Sequence, residues 1–194
     1  MKLIIASNNS HKIREIKEIL SSRFEEILSL REAGIKHETV EDSLTFIGNA
    51  RKKAREISDI SGCAALADDS GICVDALGGA PGVFSARFSG GDDEDNNSLL
   101  LSKLEGVSDR RAHYTCAMVL AYPDGSELSA EGYFHGSITK ERIGTGGFGY
   151  DPIFMPEGSD RTVGQMSDEE KNKISHRAIA LKKIVELVEK RGEA

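Results

Sequence analysis

Apolar residues change period repeatedly along this chain, and each change marks an element. Leu3-Ile4-Ile5-Ala6 is an unbroken apolar run that predicts a buried strand over 2–6. The polar group Ser7-Asn8-Asn9-Ser10 follows, rich in helix-capping residues, after which Ile13, Ile16, Ile19 and Leu20 recur at helical spacing. A second short strand is predicted over 26–30, then an irregular acidic connection over 31–43. Residues 44–60 predict a helix whose outer face carries Arg51, Lys52, Lys53 and Arg55, and that basic run reads as a solvated face. Cys63-Ala64-Ala65-Leu66-Ala67 predicts another buried strand, ending at two adjacent carboxylates, with a short partner at 72–74.

Residues 78–91 carry five glycines and one proline and read as a long loop. Asp92-Asp93-Glu94-Asp95 then opens a helix to Leu104, with its acids at the positive end of the dipole. Two strands, 111–122 and 127–138, are joined by Pro123-Asp124-Gly125 as a hairpin. A second glycine-rich loop spans 144–149, and 150–155 predicts a final strand. Ser167-Asp168-Glu169-Glu170 is a capping-box helix start, and Ser175 caps a last helix that turns Leu181, Ile184, Val185 and Val188 to the core. Helices alternate with strands early and the hairpin comes late, so an α/β fold with a mixed sheet and flanking helices is expected.

Composition narrows the function without naming it. At 194 residues the chain reads as a single domain, 1–194, of two lobes. A net charge of −7 argues against a protein that coats itself in nucleic acid. No apolar run approaches membrane-spanning length, and the first residues do not resemble a signal peptide. The three cysteines, Cys63, Cys73 and Cys116, sit in apolar runs without a Cys-x-x-Cys pair, which suits reduced thiols and a cytoplasmic location.

Four segments carry residues that could do chemistry. Alternation along the predicted strand sends Asp68 and Asp69 to opposite faces, so one carboxylate is presented at a sheet edge beside the Ser70 hydroxyl. That suits a hard cation such as Mg²⁺, although Asp-Ser-Gly is also good turn chemistry. At the N-terminus a strand leads to a helix start, where backbone N–H groups, Ser7, Asn9 and Lys12 could grip phosphate; a plain capped turn is the alternative. Gly144-Thr145-Gly146-Gly147-Phe148-Gly149 matches Gly-x-Gly-x-x-Gly, but Tyr150-Asp151-Pro152 follows where a dinucleotide-binding loop would open a helix. Its useful content is an aromatic pair, Phe148 and Tyr150, that could stack on a base or pack in the core. Lys171 with Ser175-His176-Arg177 could read a polar ligand edge or decorate the surface.

In this order along the chain, Ser7-x-Asn9-x-x-Lys12, Ala67-Asp68-Asp69-Ser70-Gly71, Gly78-Gly79-Ala80-Pro81-Gly82, Ser85-Ala86-Arg87, Gly147-Phe148-Gly149-Tyr150-Asp151-Pro152 and Ser175-His176-Arg177-Ala178 closely resemble the inosine/xanthosine triphosphate pyrophosphatase family. The resemblance implies an elongated two-lobed fold with a long twisted mixed sheet and a substrate cleft between the lobes. It also implies Mg²⁺-dependent hydrolysis of ITP, dITP and XTP to monophosphate and pyrophosphate by a homodimer. Carried over by position, Ser7, Asn8, Asn9, Ser10, His11 and Lys12 match the triphosphate grip, and Glu41 and Asp69 the metal-associated acids. Asp69 also matches the general base and Ser70 a substrate contact. Phe148, Gly149, Tyr150, Asp151, Lys171, His176 and Arg177 match the nucleoside pocket. Within it Arg177, donor-only, would pair the six-keto oxygen that inosine carries and adenosine lacks.

Two departures stand out. Many relatives read Phe-x-Glu-Asn-Ala where this chain has Phe46-Ile47-Gly48-Asn49-Ala50, so one expected acid is missing. Asn8 stands where glycine is common. Two rivals share parts of the pattern: a related pyrophosphatase for pyrimidine or modified nucleotides, and a nucleotide sensor without turnover. The Phe148–Asp151 and His176-Arg177 motifs disfavour the first, and intact Lys12, Asp68 and Asp69 the second.

Overall fold

The computed structural model describes residues 2–20 and 24–192, so Met1, residues 21–23 and residues 193–194 lie outside the description. Six strands form one sheet, in the order β2-β1-β3-β4-β5-β6. They are β1 (Lys2–Ile5), β2 (Glu26–Ser29), β3 (Ala64–Val74), β4 (Arg111–Ala121), β5 (Glu127–Ile138) and β6 (Phe154–Pro156). β1 runs parallel to β2, with Lys2 opposite Glu26, and parallel to β3, with Ile4 opposite Ala65. β6 lies antiparallel to β5. The helices are α1 (Ser10–Leu20), α2 (Phe46–Ser61), α3 (Asp93–Lys103), α4 (Asp168–Ile174) and α5 (His176–Arg191). A mixed sheet with flanking helices is therefore what the chain forms.

Two compact units divide the chain, and neither is continuous in sequence. The first comprises Met1–Asp69, Cys116–Gly132 and Arg177–Ala194; the second Ser70–Thr115 and Tyr133–His176. In the first unit strand alternation sorts the core. Leu3, Ile5 and Leu66 pack with Ile16 and Leu20 of α1 and Leu181 and Ile184 of α5. Their neighbours Ile4, Ala65 and Ala67 pack instead with Ala50, Ala54 and Ile57 of α2. The second unit has its own core, in which Leu100 and Leu104 of α3 meet Tyr114, Phe134, Tyr150 and Phe154.

Three local expectations change. The strand expected over 150–155 is a 3-10 turn over Asp151–Ile153, opened by Pro152, and only Phe154–Pro156 is extended. The strand expected to end at the two carboxylates runs on through Asp69-Ser70-Gly71 to Val74, so this is not a turn. Buried carboxylates are tolerated inside a strand only when paired, and both of these are. Nor is the basic face of α2 simply solvated. Arg51 and Arg55 both pair with Glu127, Lys52 pairs with Asp42, and Lys53 turns toward Glu41 and Asp69.

Candidate functional site

Candidate residues of the first unit gather where β3 passes between two layers of helix. Asp68 has the parity of Leu66 and faces α1 and α5. Its Oδ2 accepts from Lys12 Nζ at 3.0 Å and from Arg177 Nη2 at 3.1 Å. Arg177, 1% exposed, pairs with Glu15 of α1 as well. Burial by itself would raise the Asp68 pKa, but the charges of Lys12, Arg177 and Lys53 outweigh it and hold the carboxyl well below the usual range. Burial would likewise lower the Arg177 pKa, and Asp68 and Glu15 reverse that.

Asp69 has the opposite parity and faces α2. Asn49 Nδ2 donates to its Oδ2 at 3.0 Å. The Lys53 ammonium lies 3.9 Å from Asp69 Oδ1 and 3.2 Å from Glu41 Oε1, so one cation stands near both carboxylates. Burial pushes the Asp69 pKa up, and Lys53 and Asn49 offset this only in part. Adjacent aspartates thus carry opposite shifts: one is a locked ion-pair partner, the other a carboxylate able to take a proton.

The segment before α1 is an exposed, capped helix start. Asn8, Asn9, Ser10 and His11 are exposed. Asn9 Oδ1 accepts from the backbone N–H groups of His11 and Lys12 at 3.0 and 3.1 Å, and Ser7 Oγ accepts from Asn9 N–H at 3.2 Å. Asn9 is therefore the cap, and its oxygen is spent on the helix.

In the second unit a separate group forms around Asp151. Its Oδ2 accepts from Lys171 Nζ at 2.8 Å and from Phe148 N–H at 2.9 Å, while Tyr114 Oη donates to Oδ1 at 3.3 Å. The Lys171 ammonium sits 4.1 Å from the Phe148 ring centroid, a cation–π contact. His176 stacks on Tyr114, centroids 4.7 Å apart and planes 8° from parallel. A Cβ at Gly147 would overlap the Asp151 carboxylate, so glycine lets this loop close over it. Tyr150 Oη donates to the Ser85 carbonyl at 2.7 Å.

The first unit thus holds a charge cluster and the second an aromatic, lysine-edged cluster. The sequence model of the Ham1 family matches residues 3–187. The chain belongs to the Ham1 family. Two similar relatives are named dITP/XTP pyrophosphatase: that of Streptomyces avermitilis is 44% identical and that of Bacillus subtilis 43%, each with 96% of both chains covered. Among solved structures, the Staphylococcus aureus Ham1 protein matches with a TM-score of 0.89 at 36% identity, over 98% of this chain and 100% of that one. The dITP/XTP pyrophosphatase of Mycobacterium abscessus matches with a TM-score of 0.78 at 42% identity, over 97% and 99%.

Within this Ham1 chain the structure groups Lys12, Glu41 and Asp69 in the first unit, and Phe148, Gly149, Tyr150, Asp151, Lys171 and His176 in the second. Ser70 is the residue at which the second unit begins. Arg177, matched by position to the nucleoside pocket, lies in the first unit and is paired there. A guanidinium this buried needs carboxylates, and those within reach are Asp68 and Glu15, on the Lys12 side. Gly48, in place of the expected acid, is explained locally. A Cβ there would overlap the Ser43 hydroxyl, and Ser43 N–H donates to Asn49 Oδ1 at 2.9 Å, bracing the residue that holds Asp69. Sequence reasoning missed Glu15, Asn49, Lys53 and Tyr114. The one available signal was helical spacing: Asn49 and Lys53 lie four apart, on the face that meets Asp69.

Proposed function

We propose that this chain is a nucleoside triphosphate pyrophosphatase that hydrolyses non-canonical purine nucleotides (dITP, ITP and XTP) to monophosphate and pyrophosphate. The activity follows from membership of the Ham1 family and from relatives that share its full length. The observation that carries the assignment of residues is the split between Asp68 and Asp69. Asp68, locked to Lys12 and Arg177, orients cations toward phosphate, while Asp69, with its raised pKa, is the general base.

Glu41 and Asp69 would hold a divalent cation, Mg²⁺ in this reading. Two carboxylates form a hard oxygen donor set, and the Lys53 ammonium beside both marks a place where positive charge is favoured. Mg²⁺ leaves coordination positions to water and substrate phosphates, so two protein carboxylates are enough to seat it. When bound, it supplies charge neutralisation on the phosphate oxygens. Asp69 takes the proton of the attacking water, Lys12 meets the phosphates, and Phe148, Asp151, Lys171 and His176 receive the nucleoside. Lys171 is donor-only and Asp151 acceptor-only when ionised, so together they can pair a keto oxygen and a ring N–H.

A homodimer in the cytoplasm completes the reading. Three free cysteines suit that compartment, and among the described residues no helix is long and apolar enough to cross a membrane. The test is pyrophosphate release with Mg²⁺ from ITP, XTP, GTP, ATP, UTP and TTP in parallel. Selective release from ITP and XTP is expected. Preference for a pyrimidine, or binding without release, would overturn the reading.

A further inference from the structure

The loop that carries Phe148 and Tyr150 is held by a helix to which the functional reading gives no role. Gly149 lies between the two rings in the left-handed region, at φ 62°. Its N–H donates to Asp93 Oδ2 at 2.7 Å, and its carbonyl accepts from Asn97 Nδ2 at 2.9 Å. Asp93 and Asn97 lie four apart on α3, so they share one face. Both peptide groups flanking the Gly149 Cα are thus bound by that face. Each carries one of the rings: the Phe148–Gly149 peptide through its N–H, the Gly149–Tyr150 peptide through its carbonyl.

We infer that Asp93 and Asn97 are positioning residues that set the pose of Phe148 and Tyr150, and through them the fit of the purine. The inference rests on the reading that this loop receives the nucleoside. Asn97 is suited to the task because its amide cannot turn over. Its Nδ2 also donates to the Asp93 carbonyl at 2.8 Å, so both amide hydrogens meet carbonyl oxygens. A flipped amide would set oxygen against oxygen. Asn97 is 3% exposed, which keeps water from competing for these bonds. Asp93 adds a charged acceptor, the stronger kind of hydrogen bond.

These contacts also separate positioning from mere support. Asp93 is exposed and outside the core, so its removal has little to collapse. Asp93→Asn keeps an oxygen for the Gly149 N–H, whereas Asp93→Ala removes it. Asn97→Leu keeps volume and loses both donors.

The experiment is calorimetry of inosine monophosphate and of inorganic pyrophosphate on the parent, Asp93→Ala, Asp93→Asn, Asn97→Leu and Phe148→Ala. Asp93→Ala and Asn97→Leu should each weaken the nucleotide about ten-fold, one lost hydrogen bond to an ordered loop, with pyrophosphate affinity within about two-fold. Asp93→Asn should recover most of the loss. In kinetics the damage should fall on KM for ITP more than on kcat. Equal loss for both ligands, or no loss of nucleotide affinity in Asp93→Ala, would overturn the inference. Asp93→Ala alone decides if Asn97→Leu does not fold. Phe148→Ala separates the two levels: unchanged nucleotide affinity there would remove the nucleoside reading itself. A loss there without one in Asp93→Ala would remove only the α3 clamp.

Discussion

The Lys12–Asp68–Asp69 cluster and the Phe148–Asp151–Lys171 cluster solve different physical problems. In the first, the working groups are charges projected from regular elements: Lys12 from α1, Asn49 and Lys53 from α2, Asp68 and Asp69 from β3, Arg177 from α5. Strand alternation decides which helix each aspartate meets, so one residue of offset separates a carboxylate with a depressed pKa from one with a raised pKa. The second is a glycine loop pinned at its peptide groups, by Asp151 at Phe148 and by Asp93 and Asn97 at Gly149. Phosphate is recognised by charge, which needs rigid placement and little shape. A purine is recognised by its edge and faces, which need a shaped loop. The two clusters should therefore fail differently when altered.

The largest effect is expected at Asp69. Asp69→Asn keeps size and removes the base, and should lower kcat by about 10²–10⁴-fold. The same change should raise Tm at neutral pH. Burial raises the folded-state pKa of Asp69, so the folded chain binds its proton more tightly than the unfolded chain does. The parent loses stability as pH rises from the unfolded value through the folded one, and above that range carries a constant deficit that asparagine lacks. The gain in Tm should shrink as pH falls toward 4, near the unfolded carboxylate pKa of about 3.9. Full activity in Asp69→Asn, or a lower Tm at pH 7, would collapse the contrast between the two aspartates.

This contrast also shows what a single sequence could reveal. The elements were legible because period, caps and turn residues agree. Thr45 accepts from Gly48 N–H, Asp92 and Ser167 form capping boxes, and the hairpin turn falls at Pro123-Asp124-Gly125. Opposite faces for Asp68 and Asp69 were legible for the same reason. The partners of each carboxylate were not, because Arg177 and Glu15 meet only after the chain has crossed 162 residues. Arg177 sits beside His176 in sequence, yet it is bound to carboxylates of the first unit while His176 stacks on Tyr114 in the second. Neighbours in sequence thus take their partners from different units, which a single sequence does not show. The basic face of α2 misled in a similar way, since a run of lysine and arginine looks the same whether its partner is water or Glu41.

A second, smaller effect sharpens the rigid side of the comparison. Asp68→Asn should leave Arg177 and Lys12 without their shared carboxylate, destabilising the fold by about 3–5 kcal/mol. Because the folded pKa of Asp68 is depressed, its contribution is present above the unfolded value and lost as pH falls below it. Urea titrations of parent and variant should therefore diverge at pH 7 and converge in acid. Equal stability at pH 7 would mean that the buried triad does not hold this end of the molecule together.

The smallest expected effect lies on the other side, at Tyr114. Tyr114→Phe keeps the ring that stacks on His176 and packs edge-on to Phe154, and removes only the hydroxyl that donates to Asp151. At 3.3 Å this hydrogen bond is long, and Asp151 Oδ2 keeps its bonds to Lys171 and Phe148. A loss of about 1 kcal/mol or less in binding inosine monophosphate follows, at most a few-fold in Kd. Tyr114→Leu removes the stack as well and should cost more, since aromatic pairs contribute about 0.5–1.5 kcal/mol beyond area. Pyrophosphate binding should be unaffected by either change, because no phosphate-binding group touches Tyr114 in this reading. If Tyr114→Phe weakened pyrophosphate as much as the nucleotide, the two clusters would be energetically coupled. Their different construction would then not make them independent recognition elements.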